Sequence, residues 1–331
     1  SRIHNLFKYL QNVYKNGPYP QPLNKHQQIK KKLKAYRMFS NHSEIKLEIN
    51  NRKITGKSPN TQKLNNLPIG IFDSGVGGLT VVKAVMERLP QENIIYFGDT
   101  ARVPYGIKST KTIQLFTGQV VDFLMEKKIK ALVVACNTIS AAAIEVVKEK
   151  AKSLPTINVI EAGVKQALLV SPNKQIGVIA TSTTVNSGAY ARSIAMYSSK
   201  ARVVSKACPL LVPLIEEDWL NNDIARLTVR EYLHPLLVEN IDTLILGCTH
   251  YPLIKPLIFS ELGANIRLVD SAIAVAEKLS CSLAQAGLLK TPTTDHGEYH
   301  FYVSDIPLRF QAIAEKFLGR SIKHLQQKVL E

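Results

Sequence analysis

Cysteine is scarce in this chain, four among 331 residues, and tryptophan occurs once. Cys136, Cys208, Cys248 and Cys281 are too few for a disulfide scaffold of this length, and no CxxC spacing suggests a zinc site. A reducing, cytoplasmic compartment is expected. No apolar run approaches the roughly 18 residues of a membrane span, and the N-terminus lacks the compact apolar core of a secretory signal. Acidic residues are nearly missing from one region. Residues 1–66 hold 14 Lys or Arg against 2 Asp or Glu, so that segment carries +12 of the chain's +16. Residues 67–331 are close to neutral. With 45% hydrophobic and 21% charged residues, the chain is ordinary for a globular protein large enough for two domains.

The basic segment differs from everything after it. Ile3, Leu6, Phe7, Leu10, Val13 and Tyr14 keep a helical apolar spacing, and Gly17 to Pro22 breaks any helix. Lys25 to Phe39 reads as a short basic helix, Ile45, Leu47 and Ile49 alternate as in a strand, and Thr55 to Asn66 reads as a linker. The segment is expected to be dispensable, with a regulatory role or a translation start nearer Met38 as alternatives. A basic surface for nucleic acid or membrane headgroups is the non-enzymatic reading. It leaves the cysteine motifs unexplained, so no membrane partner is expected, and no nucleic acid for the core.

From Pro68 the pattern alternates between strand and helix. Ile69–Phe72 and Ile94–Phe97 read as short buried strands, with a helix to about Leu89 between them and a polar loop through Gly106 after them. A helix over about residues 110–127 leads to a strand ending before Cys136, then a helix to about Lys152 and a strand at Ile157–Ile160. A second round opens with Ile176-Gly-Val-Ile179, which resembles Ile69-Gly-Ile-Phe72. The two openings lie 107 positions apart and Cys136 and Cys248 lie 112 apart, which argues for a duplicated α/β unit. Leu268-Val269 ends another strand before a helix over 271–286. A strand at 299–303 and a helix over 306–318 complete the chain. Such alternation implies largely parallel sheets covered on both faces.

The chemistry is carried by Leu244-Ile-Leu-Gly-Cys248-Thr249-His250-Tyr-Pro252 and its echo Leu132-Val-Val-Ala-Cys136-Asn137-Thr138. Each reads as a buried strand ending at a cysteine, where open α/β sheets bind ligands. A single cysteine there is by default a small buried hydrophobe. Two, each followed by hydrogen-bonding residues, suggest a two-sided site. Helix N-termini are expected to draw both thiols from a pKa of about 8.5 towards neutrality. Opposed thiols suit inversion of a carbon centre, one removing a proton and the other returning one. Each sulfur must come within about 3–3.5 Å of that carbon, so the pair would sit about 7 Å apart, too far for a disulfide. Asp73-Ser-Gly-Val-Gly-Gly78 is not a dinucleotide fingerprint, since Thr80 stands where its last glycine belongs. It reads instead as a glycine-rich turn able to bind a carboxylate. Cys208 and Cys281 read as structural. His250 can orient or polarise Cys248, and either Glu216 or Glu217 faces the site or both lie on a solvated loop.

Asp73-Ser-Gly-Val-Gly-Gly78, Val103-Pro-Tyr-Gly106, Ala135-Cys-Asn-Thr138, Ala207-Cys-Pro-Leu210, Val212-Pro-Leu-Ile-Glu216 and Gly247-Cys-Thr-His-Tyr-Pro252 together resemble the glutamate racemases, in the family's order. The resemblance spans about residues 67–331. It implies two pseudo-symmetric three-layer α/β domains with mainly parallel sheets, the site between them, over 67–163 plus 270–331 and over 164–269. It implies cofactor-independent interconversion of L- and D-glutamate, without a metal, supplying D-glutamate for peptidoglycan. Cys136 would serve D-glutamate and Cys248 L-glutamate. Asp73 and His250 would assist their nearest thiols, and Glu216 the Cys248 side. Asp73, Ser74, Tyr105, Gly106, Asn137, Thr138, Thr249 and His250 would bind substrate. Thr184 is a secondary contact, since Ala180-Thr181 departs from the family's usual Gly-Thr. A homodimer and a UDP-linked peptidoglycan precursor as effector are further implications. Aspartate racemases are the nearest alternative.

Overall fold

In a computed structural model of the protein, residues 64–291, 294–306 and 310–330 are described. The helices and strand expected before residue 64 lie outside them. Two parallel sheets form the frame. The first holds β1 (Ile69–Asp73), β2 (Ile94–Gly98), β3 (Ala131–Val134), β4 (Thr156–Asn158), β9 (Tyr299–Val303) and β10 (Leu325–Gln327), in the order β10-β9-β2-β1-β3-β4. The second holds β5 (Gln175–Ala180), β6 (Arg202–Ala207), β7 (Thr243–Gly247) and β8 (Arg267–Asp270), in the order β6-β5-β7-β8. Every pairing in both is parallel. The common part, second strand beside first beside third beside fourth, is the same in the two sheets. Strand order therefore repeats where side-chain similarity is weak.

Each repeat has a place where the chain leaves the first strand in one direction and the third in the other. In the first sheet this lies between β1 and β3, in the second between β5 and β7. Loops at the carboxyl ends of such strands diverge and leave a crevice. The residues following β1, β3, β5 and β7 are Ser74, Ala135-Cys136, Thr181 and Cys248.

The central strands β1, β2, β3 and β7 are buried throughout, which is why they read as continuous apolar runs. On one face of the first sheet, Phe72, Phe97, Leu132 and Val134 pack with α2 (Thr110–Glu126) and α4 (Ile144–Ala151). On the other, Ile69, Ile71, Tyr96 and Val133 join a core that continues through α1 (Leu79–Arg88) and α11 (Ser271–Gln285) to Leu244 and Leu246 of β7. α11 packs on both α1 and α5 (Val159–Val170), binding the first half's helix layer to the helix that enters the second.

Several elements differ from the sequence reading. The strand expected at Ile157–Ile160 ends at Asn158, whose side chain accepts the Glu161 N–H at 2.9 Å and caps α5. Val159 and Ile160 are its first residues, since a satisfied cap outweighs their β preference. The helix expected from Cys136 to Lys152 is broken at Ala143 (φ −136°) into α3 (Asn137–Ala142) and α4, and the Gln114 amide takes the Ala142 carbonyl at 3.2 Å. Ile306 lies outside the last helix, α12 (Phe310–Leu318), and β10 follows that helix where no further element was expected. β10 pairs with β9, extending the sheet by a short edge strand. Among the described residues no helix is long and apolar enough to cross a membrane.

The far end of the first sheet is closed by a buried cation. Lys130 Nζ pairs with Glu92 and donates to the carbonyls of Asn65 (2.6 Å) and Leu288 (2.9 Å). Burial lowers the lysine's pKa while Glu92 holds it up. The end of the expected linker is thus tied in: Asn65 is buried, and Asn66 accepts from Asn93 Nδ2 at 3.0 Å. A chain cut to begin at Leu67 loses the Asn65 and Asn66 carbonyls and leaves the buried Lys130 ammonium short of a partner. It should be about 1–3 kcal/mol less stable than one begun at Leu64. Urea unfolding of the two shortened chains reads this directly, and equal midpoints would contradict it.

Candidate active site

Cys136 stands at the head of α3. Its Sγ accepts the Ile139 N–H at 3.5 Å and lies 3.3 Å from Ser74 Oγ. Ser74 follows β1, so the contact crosses the switch point of the first sheet. One residue earlier, Asp73 is buried. Its Oδ2 accepts the Gly75 N–H at 3.0 Å, and its Oδ1 has no partner. Burial, reinforced by the Asp73 charge, pushes the Cys136 thiol up to about 12, against the pull of its bonds from Ser74 and Ile139. This overturns, for Cys136, the expectation that the helix start draws the thiol towards neutrality. α3 has only six residues, and removal from water dominates.

Cys248 follows β7 and is also buried, but its neighbours differ. Its Sγ lies 3.7 Å from His250 Nδ1, and His250 Nε2 lies 2.8 Å from Glu216 Oε1 at the end of α8 (Leu211–Glu216). Phe317 of α12 sets its ring edge-on to the imidazole at 5.0 Å. Burial opposes charge on His250, yet the bonds to Cys248 and Glu216 outweigh it and push the histidine up to about 10. Of the two glutamates left open by sequence, Glu216 is the one on His250.

One loop serves both sides. Ser74 touches Cys136, and three residues on, Gly77 abuts the second cysteine's turn. A β-carbon at Gly77 would fall 2.4 Å from Thr249 Oγ1 and 2.5 Å from His250 Nδ1. Only glycine permits that approach. Thr80 Oγ1 then donates to the Thr249 carbonyl at 3.0 Å.

The remaining expected residues gather around these turns in different ways. Thr138, Thr181 and Thr184 form a row of hydroxyls at 3.1 and 3.0 Å. The Thr183 hydroxyl donates to the Gly106 carbonyl at 2.5 Å, bringing the 105–106 turn to the second half. Tyr105 is buried with its hydroxyl donated to Asp99, so that group is already engaged. Asn137 is buried with its Oδ1 taken by Tyr190 at 2.7 Å and its Nδ2 unpartnered. Tyr96, whose hydroxyl donates to the Gly75 carbonyl at 2.7 Å, and Thr80, Thr183 and Tyr190 were not read as site residues. Each acts through a contact far away in sequence, and local pattern gives no signal for it. Cys208 backs the second turn, its carbonyl accepting the Tyr251 hydroxyl at 3.1 Å and its thiol pushed up to about 12 by burial, while Cys281 lies in α11. Among the described residues no cluster of three His, Cys, Asp or Glu could hold a metal ion.

The profile of the Asp/Glu/hydantoin racemase family matches residues 79–279. The chain belongs to the Asp/Glu/hydantoin racemase family. It is therefore a racemase, an isomerase of chiral centres. The glutamate racemase of Neisseria meningitidis serogroup A is 58% identical to it over 259 residues, 78% of this chain and 95% of the relative. A crystal structure of glutamate racemase from Francisella tularensis in complex with D-glutamate superposes with a TM-score of 0.76, at 46% identity over 81% of this chain and 99% of that one. The Escherichia coli glutamate racemase, in complex with L-glutamate and the activator UDP-MurNAc-ala, has a TM-score of 0.64 at 26% identity, covering 80% and 99%.

In this racemase the His250–Glu216 contact has a measurable signature. His250 is raised in the folded state above its usual value, so its contribution to stability is full below about pH 6.5 and is lost as pH rises through about 10. Glu216→Gln removes part of that pull. Its loss of thermal stability relative to the parent should be greatest near pH 6 and fade towards pH 10, as followed by melting temperature. A loss that stays constant across that range would contradict the coupling.

Proposed function

We propose that the protein interconverts L- and D-glutamate by a two-thiol acid/base mechanism. The observation that carries this is the placement of two buried cysteines, Cys136 and Cys248, at equivalent switch points of two like-ordered sheets, with the turns that hold them both against one glycine loop. A thiolate on one face takes the α-hydrogen as a proton. The electron pair stays on the α-carbon until the thiol on the other face supplies a proton. After each inversion the protonation states of the two sulfurs are exchanged.

The electrostatics favour a starting state. Cys136, desolvated and beside Asp73, holds its proton and is the acid. Cys248 lies 3.7 Å from a His250 that its bonds to Cys248 and Glu216 help keep protonated. Cys248 is then the base in the L-to-D direction, and Cys136 in the reverse. The unpartnered atoms supply complementary groups for an amino acid. Asp73 Oδ1 is a buried acceptor suited to an ammonium, and Asn137 Nδ2 a buried donor suited to a carboxylate. Ser74, Thr138, Thr184, Thr249 and the 105–106 turn complete the binding set. The low acidity of an α-hydrogen is met by these fixed donors in a site shielded from water. The acid/base pair is complete in protein groups, and no cofactor or metal enters the scheme.

The specific substrate follows from the relatives, of which those at 58% identity are glutamate racemases. Supply of D-glutamate to peptidoglycan in the cytoplasm, a homodimer and a response to a UDP-linked precursor belong to the same proposal. The last is supported by the activator bound to the Escherichia coli enzyme.

Cysteine variants test the mechanism. After dialysis against EDTA, the parent should racemise glutamate with no addition, followed by circular dichroism. Cys136→Ser and Cys248→Ser should each lose racemisation by orders of magnitude. Each should still exchange the α-hydrogen of one enantiomer with solvent: L-glutamate for Cys136→Ser, D-glutamate for Cys248→Ser. Full racemisation by either variant would overturn the mechanism.

A further inference from the structure

Asn137 presents an asymmetry that the acid/base scheme does not use. Its side chain is 3% exposed, its Oδ1 is occupied and its Nδ2 is not. An amide can rotate about its last bond and exchange the two atoms, so something must hold the donor end towards the site. The oxygen is held by Tyr190, the second residue of α7 (Ala189–Tyr197), 53 positions away and from the other half of the fold. Tyr190 is itself 3% exposed, and a β-carbon placed on Gly247, just before Cys248, would meet its ring at 3.1 Å. The phenol thus stands between the turn of one thiol and the turn of the other.

We infer that Tyr190 is a positioning residue: its hydroxyl fixes the Asn137 amide with Nδ2 facing the substrate. The phenol could also accept from Nδ2 of the turned amide, but its own proton would then lose Oδ1 as acceptor, so while the phenol donates to Oδ1 the amide keeps Nδ2 on the other side. Burial outweighs the opposing pull of Ser271 and, with the Cys248 sulfur adding to it, pushes the phenol well above its usual range, so it keeps the proton it donates at any pH of activity. Cys136 and Asn137 belong to the first half and Tyr190 to the second, so the selection holds only while the two halves are in register. The inference rests on the proposed reading of Asn137 as a substrate contact.

A double-mutant cycle with Tyr190→Phe and Asn137→Ala tests it. Phenylalanine keeps the ring against Gly247 and removes only the hydroxyl. L- and D-glutamate have equal free energies in water, so kcat/KM must fall equally in the two directions for every variant. Tyr190→Phe should lower it by about ten- to a hundredfold, the effect of a buried amide left free to turn. The pH limbs of kcat/KM should stay where they are in the parent. Added to Asn137→Ala, Tyr190→Phe should change kcat/KM by less than about twofold, because its target is gone. The NMR signal of the Asn137 side-chain amide, identified by its loss in Asn137→Ala, should move in Tyr190→Phe whether or not glutamate is the substrate. A parent inactive on glutamate with a moved amide signal would sink the substrate reading and leave the positioning intact. An unchanged rate, an unmoved amide signal, a penalty that multiplies with that of Asn137→Ala, a displaced pH limb or a Tyr190→Phe protein that does not fold would each overturn the inference.

Discussion

The approach of the Ser74–Thr80 loop to both cysteine turns is the constraint on which the rest depends. Within that loop, Ser74 reaches the Cys136 sulfur, and Gly77 comes so close to Thr249 and His250 that no β-carbon fits. Because the loop springs from the carboxyl end of β1, the first sheet sets its place. Because it rests on the turn after β7, the second sheet must match it. A close-packed contact of this kind resists sliding, since side chains in such contacts have no room to adjust. Gly78 lies equally close to Asp73, where a β-carbon would fall 2.5 Å from that residue's own. The carboxylate beside Cys136 is therefore pinned by the same turn.

The two halves repeat in strand order but not in electrostatics. The first thiol is buried beside a carboxylate, and the two together keep a proton on sulfur against the pull of the Ser74 hydroxyl. The second has instead an imidazole backed by Glu216. A reaction that inverts a centre needs one acid and one base at a time, so unlike surroundings on like frames are what the chemistry asks for. The duplication supplies the geometry, and the divergence of neighbouring residues supplies the bias.

Much of this was legible in the sequence, for a physical reason. Parallel strands buried on both faces leave unbroken apolar runs, and Leu132–Val134 and Leu244–Leu246 mark the two cysteine turns without ambiguity. His250 is two residues from Cys248, so their contact is nearly local. Legibility failed where a polar group overrode an apolar pattern, as at Asn158, whose cap turns Val159 and Ile160 into helix. β6 also went unread, because it is an edge strand with exposed Arg202 and Ser205. The braces from Thr80 and Tyr190 were invisible, since a hydrogen bond spanning 169 or 53 positions leaves no periodicity behind. The direction of the Cys136 shift was misjudged because a helix start is visible in sequence, whereas the depth of burial is a property of the whole packing.

The central claim is that two sulfurs work from opposite faces of one carbon. It is tested most directly by following the α-hydrogen in heavy water. With L-glutamate as the starting enantiomer, the first D-glutamate formed should carry deuterium at the α-carbon in essentially every molecule, because its proton comes from the second thiol after exchange with solvent. The L-glutamate remaining at that time should keep its protium. Early D-glutamate that retains the substrate's own hydrogen would mean that a single group both removes and returns it, and would contradict the two-thiol account.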